Sequence, residues 1–200
     1  MSETVDIPRP LRADARRNRE RIIRSARKVF ARDGVEAQMD DVARDAGVGV
    51  GTLYRHFPTK EALLVELVRE KLTAFTAILR GALTRDGEPG AVFREAISQA
   101  AMAASCDAGM QELMAGLDGE PWAELADEQR ELDAATEELI DRARLAGAVR
   151  ADLTSSDVGM LMCGLGAAMH HAKPGFDWRR HLELALDAMG PAAGATRADA

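Results

Sequence analysis

Residues Met39 to Phe57, MDDVARDAGVGVGTLYRHF, constrain this chain more than any other stretch. Val42, Ala43 and Ala46 fall at helical spacing, so a short helix can bury one face there. Asp40 and Asp41 suit the positive end of that helix's dipole. Gly47 stands where the helix must stop, at a position that often needs a left-handed backbone. Val48 is the apolar plug that sets the angle between this helix and the next. Thr52 opens the second helix, in which Leu53 and Phe57, four residues apart, can anchor to a core. Tyr54, Arg55 and His56 then point elsewhere, and a phenol, a guanidinium and an imidazole suit phosphates and base edges. Helix, tight turn and helix together form a device that lays its second helix in the major groove of duplex DNA. Gly49, Val50 and Gly51 are small and let backbone come close to a partner. Pro58 ends the second helix and Thr59 can cap the next. Lys60 lies in that helix's first turn, where backbone amides and an ammonium can share a phosphate. A helical hairpin inside an ordinary core is the competing reading of so short a pattern.

The longer stretch is more specific. DVARDAGVGVGTLYRHFPTKEALL resembles the DNA-binding signature of the TetR family of transcriptional regulators, and the preceding RERIIRSARKVFARDGVEAQMDDVA resembles that family's first helix and its lead-in. The resemblance covers Arg19 to Leu64. It implies that Gly49 to Arg55 face the bases, that Tyr54 and Lys60 grip phosphates, and that His56 flanks the groove. Gly49 and Val50 replace the family's commoner Ser-Lys, which removes a hydroxyl and a charge and leaves Thr52 and Arg55 as the direct readers. Gln38 and Met39 stand where the family often has Thr, and Gln38 could substitute for that hydroxyl.

A net charge of −7 looks wrong for a DNA binder until it is divided. Residues 1 to 60 hold 13 Lys or Arg against 9 Asp or Glu, whereas residues 61 to 200 hold 13 against 24. Only the local field reaches a phosphate, because exposed charges are screened within about 10 Å at moderate salt. The basic half is the one with the motif. Arg9 and Arg12, in a stretch expected to be mobile, could reach along phosphates or into a minor groove.

Elsewhere helix formers dominate and no segment alternates as a strand does, which predicts an all-α chain. The expected organisation is a helix-turn-helix domain over residues 14–60, a helical ligand-binding and dimerisation domain over 61–190, and flexible tails at 1–13 and 191–200. Ile22, Ala26, Val29 and Phe30 mark a first helix over Asp14 to Asp33. Lys60 to Leu83 reads as one long helix that mechanically links the motif to the second half. About nine helices are expected, including Asp107 to Met114, Trp122 to Ala146, Asp157 to Ala172 and Phe176 to Met189.

One recognition helix reads few base pairs, so pairing of two copies on a palindromic operator is expected. Val158, Leu161, Met162, Leu165, Ala168 and Met169, with Leu182 and Leu186, form the expected dimer surface; burial within one protomer would explain the same stripe. Phe75, Leu79, Met102, Cys106, Met110, Met114, Trp122, Leu139 and Met162 are candidate walls for a small apolar effector, since methionines suit a cavity of variable shape. A Met-rich core without a ligand remains the alternative. Cys106 and Cys163 form no metal or disulfide pattern. No nucleophile–base pair, phosphate-cradling glycine loop or metal cluster points to catalysis or a cofactor. No apolar run spans a bilayer and no signal-peptide core opens the chain, so a cytoplasmic location is expected. The expectation is a repressor released by a small molecule. A helical small-molecule-binding protein or enzyme without a DNA role and a nonspecific DNA binder are the alternatives.

Overall fold

The computed structural model describes the backbone of residues 9–105, 119–170, 175 and 177–191, and side chains from residue 14 onward apart from Val35, Glu120 and His170. Among the described residues there are nine α-helices and no strand: α1 (Arg9–Asp33), α2 (Met39–Ala46), α3 (Val50–His56), α4 (Lys60–Leu83), α5 (Pro89–Ser105), α6 (Gly119–Ala123), α7 (Ala126–Leu145), α8 (Ser155–His170) and α9 (Trp178–Met189). The all-α expectation holds. The helix expected over Asp107 to Met114 lies outside the described residues, as do 1–8 and 192–200.

Two boundaries differ from the sequence reading. α1 begins at Arg9 rather than Asp14, so residues 9–13 extend a helix instead of belonging to a tail. Pro10 is tolerated there because the N–H groups of a first helical turn have no acceptor in any case. The single helix expected from Trp122 to Ala146 is broken into α6 and α7. At the break the Leu125 N–H donates to Trp122 O at 3.1 Å, and the Leu125 side chain turns fully into the core.

The protein has two apolar cores, and α4 runs through both. The first gathers Ile22, Val29 and Phe30 of α1, Val42 of α2, Leu53 of α3, and Leu63 to Leu72 of α4. The second gathers Leu79 and Ala82 of α4 with Phe93, Ile97, Leu139, Ile140, Leu165 and Leu186. The motif domain therefore draws on α4 as far as Leu72, well past residue 60. Arg142 of α7 closes the far end of α4 by donating to the carbonyls of Leu83 and Arg85, each at 3.1 Å. α4 is thus clamped at both ends, by the motif domain at one and by α7 at the other.

α5 starts behind Glu88, whose carboxylate accepts from the N–H of Gly90 at 2.9 Å and of Ala91 at 2.7 Å. Those two bonds hold its pKa below the ordinary glutamate range. Thr154 and Asp157 form a reciprocal cap at α8: Thr154 N–H and Oγ1–H donate to the Asp157 carboxylate, and Asp157 N–H donates back to Thr154 Oγ1.

Candidate nucleic-acid interface and ligand cavity

α2 ends as its sequence requires. Gly47 adopts φ +61°, ψ +39°, its N–H donates to Arg44 O at 3.1 Å, and the Val48 N–H donates to Ala43 O at 3.0 Å. That is the two-bond left-handed helix stop, and it satisfies carbonyls that would otherwise be orphaned. α3 starts without a side-chain cap: Gly49 O accepts from the N–H of Thr52 at 2.8 Å and of Leu53 at 3.1 Å. Leu53 and Phe57 lock the inner face of α3, and both are buried.

The outer face carries what the sequence placed there. Gly49, Val50, Gly51, Tyr54 and Arg55 are exposed, with Thr52 and His56 half-buried. No atom lies within 4 Å of where a Cβ on Gly51 would stand, and at Gly49 only Thr52 Oγ1 comes near, at 4.0 Å. Tyr54 is 44% exposed, and its hydroxyl has no partner among the described residues. Arg55 folds back along α3, donating from Nε to Gly51 O at 3.1 Å and from Nη2 to Thr52 Oγ1 at 3.2 Å. Two of its five N–H groups are so engaged, and three remain for a base or a phosphate. Lys60 sets its ammonium 5.7 Å from the centre of the Phe30 ring. Behind it, Thr59 caps α4 by accepting from the Ala62 N–H at 3.1 Å.

Met39 needs correction. Its side chain is 7% exposed and belongs to the first core, so that side chain does not face DNA. The apolar face of α2 begins at its first residue. Gln38 is exposed, and its amide donates to Glu36 O at 2.8 Å, bracing its own loop. The backbone of Arg9 and Arg12 lies in α1, while their side chains lie outside the described set.

Sequence reading missed the residues that hold the motif from behind. Arg21 of α1 donates from Nη2 to Ala46 O at 2.6 Å and to Gly47 O at 3.3 Å. Arg19 places its guanidinium 5.4 Å from the centre of the Phe57 ring and pairs with Glu66 at 2.8 Å. Glu66 also pairs with Arg69 at 3.0 Å, and Arg69 reaches Glu128 of α7 at 2.7 Å and Glu124 O at 3.3 Å. Burial opposes the charge on Arg69, but its bonds to Glu128 and Glu66 outweigh this and raise its pKa. The Glu128 backbone N–H holds its own carboxyl below the ordinary range, with Arg69 adding to that against an opposing desolvation. The run of charges connects α7 to the end of α3. Its signal in the sequence was only a set of arginines at helical spacing, without their partners.

A cavity of about 320 Å³ opens beside α4, with walls from α4, α5, α6, α7 and α8. Phe75, Leu79, Trp122 and Met162 line it, as the sequence suggested. Leu139 does not: it lies about one turn beyond Thr136 on α7 and is buried in the second core. Met102 is exposed on the outside of α5. Cys106, Met110 and Met114 lie outside the described residues. Among the polar wall groups, Thr136 donates to Leu132 O at 2.7 Å, while the buried Nε2 of Gln129 has no acceptor among the described residues.

Four residues assigned to the dimer surface are instead buried in the protomer's own second core: Val158, Leu165, Leu182 and Leu186. Leu165 is 1% exposed in the single chain. Leu161, Met162, Ala168 and Met169 are half-buried, and Leu161, Met162 and Met169 pack on that core. The apolar stripe of α8 faces inward because α5 and α7 need cover. The outer face carries Met160, Cys163, Gly164 and Ala167, and on α9 Leu184.

No described helix is long and apolar enough to cross a membrane, and no cluster of metal-ligating side chains occurs among the described residues. A helix-turn-helix in a basic N-terminal domain, held on a long helix with a cavity-bearing helical bundle beyond it, defines a DNA-binding transcriptional regulator. Residues 22–67 match the family model of the tetR family of bacterial regulatory proteins, and residues 88–191 match that of the SbtR-like transcriptional regulator C-terminal domain. The chain belongs to the TetR family. It is 31% identical to the TetR transcriptional regulator SCO0520 of Streptomyces coelicolor, over 88% of this chain and 99% of that one, with a TM-score of 0.60. A TetR regulatory protein from Mycobacterium vanbaalenii is 32% identical over 90% and 99% of the two chains, with a TM-score of 0.63. The transcriptional regulator FadR of Bacillus subtilis, solved in complex with stearoyl-CoA, shares the fold at 18% identity over 84% and 98% of the two chains, with a TM-score of 0.68. HTH-type transcriptional regulators of Staphylococcus aureus are 42% identical over 66 residues; the match spans 32% of this chain and only 36% of theirs.

Proposed function

We propose that two copies of this chain clasp an inverted-repeat operator and block transcription until a small apolar molecule enters the cavity beside α4. The observation that carries the DNA side is the outer face of α3. Its exposed groups are two glycines, a valine, a tyrosine and an arginine, while Leu53 and Phe57 hold the helix rigid from within. Thr52 and Arg55 read base edges, Tyr54 and Lys60 grip phosphates, and His56 and Gln38 flank them. Arg9 and Arg12, near the start of α1, add phosphate contacts. The protein acts in the cytoplasm, where its DNA lies.

The effector side rests on the cavity and on the Gln129 donor in its wall, which has no partner among the described residues. A buried donor left without an acceptor costs about 1–3 kcal/mol, which a ligand carrying an acceptor would recover. Leu72, Phe75 and Leu79 of α4 line the cavity, so an occupant that displaces them tilts α4 and moves the motif at its other end. The occupant must bind the DNA-free conformation better, or it shifts nothing.

The test is selection of bound duplexes from a random pool at near-physiological salt. An enriched inverted repeat is expected, with Arg55→Ala relaxing preference at particular base pairs and Lys60→Ala weakening all sequences alike. Retention without enrichment would make this a nonspecific binder, and no retention would remove the DNA role.

A further inference from the structure

The cavity beside α4 has one charged side chain in its described wall, and that charge is negative. Asp133 of α7 is exposed to solvent where it lines the cavity, has no ion-pair partner among the described residues, and shares that lining with Phe75, Trp122, Leu132 and Met162. No Lys, Arg or His stands in the described wall. Lys71 lies 5.8 Å from the centre of the Phe75 ring and is not part of the lining. A carboxylate or phosphate entering this cavity would therefore leave water for a site without a counter-charge in its described walls, and desolvating an unpaired anion is expensive. A cation would find the Asp133 carboxylate, and the Trp122 ring nearby favours a positive group on its face.

We propose that the cavity takes a lipophilic cation, with its apolar body against Phe75, Trp122, Leu132 and Met162 and its positive group at Asp133. This rests on reading the cavity as an effector site, and it narrows the effector to a chemical class.

The test uses the full chain, free of DNA, titrated calorimetrically at neutral pH with decylammonium, decanol and decanoate. These share a tail and differ only in the charge at its head. Decylammonium should bind about tenfold or more tighter than decanoate, with decanol between them, as one carboxylate at contact distance near a protein surface supplies. Asp133→Asn should bring the amine to the level of the alcohol. Glu131→Gln, which changes net charge equally on the same helix, should leave the preference intact. Equal or tighter binding of decanoate, a preference that survives Asp133→Asn, or binding of none of the three overturns the proposal. Release of DNA is read separately. An amine that binds through Asp133 without releasing DNA leaves the charge assignment standing and overturns ligand release.

Discussion

The Arg21 guanidinium lies against the backbone at Gly47, donating to its carbonyl at 3.3 Å and to that of Ala46 at 2.6 Å. A Cβ on Gly47 would stand 2.9 Å from that same guanidinium. The turn of the motif is thus held twice, by a left-handed backbone that favours glycine and by an arginine from α1 that covers the helix end. A cation at a helix C-terminus also meets the negative end of the dipole.

Removing either hold should loosen the motif. Gly47→Ala places an L residue at φ +61°, which costs about 1–2 kcal/mol. Arg21→Ala gives up a charge-assisted bond to a carbonyl, a loss of about 1.5–3 kcal/mol. Both variants should lower the thermal midpoint and weaken operator binding, although neither residue faces DNA. The double variant should lose less than the two singles combined, since the residues share one contact. Additive losses in a thermal-denaturation cycle would show that Arg21 acts elsewhere.

Gly51 presents the opposite case. It lies inside α3 with open space where a Cβ would go, so packing does not demand glycine there. In a helix interior glycine is less favourable than alanine by about 0.8–1 kcal/mol. Gly51→Ala should therefore raise the thermal midpoint. It should also weaken operator affinity by about tenfold or more, because the added methyl stands on the base-facing side and holds the backbone off the groove. A variant that is more stable and binds as before would show that the bare face of α3 is not where DNA approaches.

These two glycines mark what the sequence could and could not say. Gly47 was legible because a helix stop has a local signature within five residues. The burial of Leu53 and Phe57 was legible for the same reason, from spacing within one turn. Arg21 was not, since its acceptors lie 25 and 26 residues away and nothing in the spacing joins them. Met39 was misplaced because one residue at a helix start decides which face it joins. The stripe through Val158, Leu165, Leu182 and Leu186 was read as a dimer surface because periodicity shows that a face is covered, not whether the cover comes from the same chain. The break at Leu125 carries no Gly or Pro to announce it.

The pair of Arg69 and Glu128 should carry a pH dependence. The Glu128 carboxyl titrates below its ordinary value of 4.5 in the folded protein. Its stabilisation is complete above that value and disappears as pH falls through the lower, folded one. Glu128→Gln should cost about 1 kcal/mol at pH 7, as expected for a half-buried pair with Glu66 still in place. Denaturation curves of wild type and variant should converge as the solution becomes strongly acidic. Operator affinity should change little, while any ligand that releases DNA should do so less completely, because α7 would have lost one of its charged links to α4, with Arg80–Glu138 remaining. A stability gap that persists unchanged in acid would remove Glu128 from this role.

The dimer surface is set by what the protomer leaves uncovered. Met160 is 66% exposed and lines a groove with Ala188, and Leu184, one turn before Ala188 on α9, is 53% exposed. Beside Met160, α8 exposes Gly159, Cys163, Gly164 and Ala167, small enough for two helices to approach closely. In a two-fold interface each residue counts twice, and burying one such side chain contributes about 1.5–3 kcal/mol. Met160→Glu with Leu184→Glu should therefore convert a dimer to a monomer in sedimentation equilibrium, by lost burial and by like charges brought together across the axis. The monomer should melt close to the wild-type chain at low concentration, since neither side chain belongs to the core. It should also lose the cooperative use of two half-sites while keeping weak binding to one. A double variant that sediments as a dimer would place the interface on another face, and the inverted-repeat geometry would then need a different pair of helices.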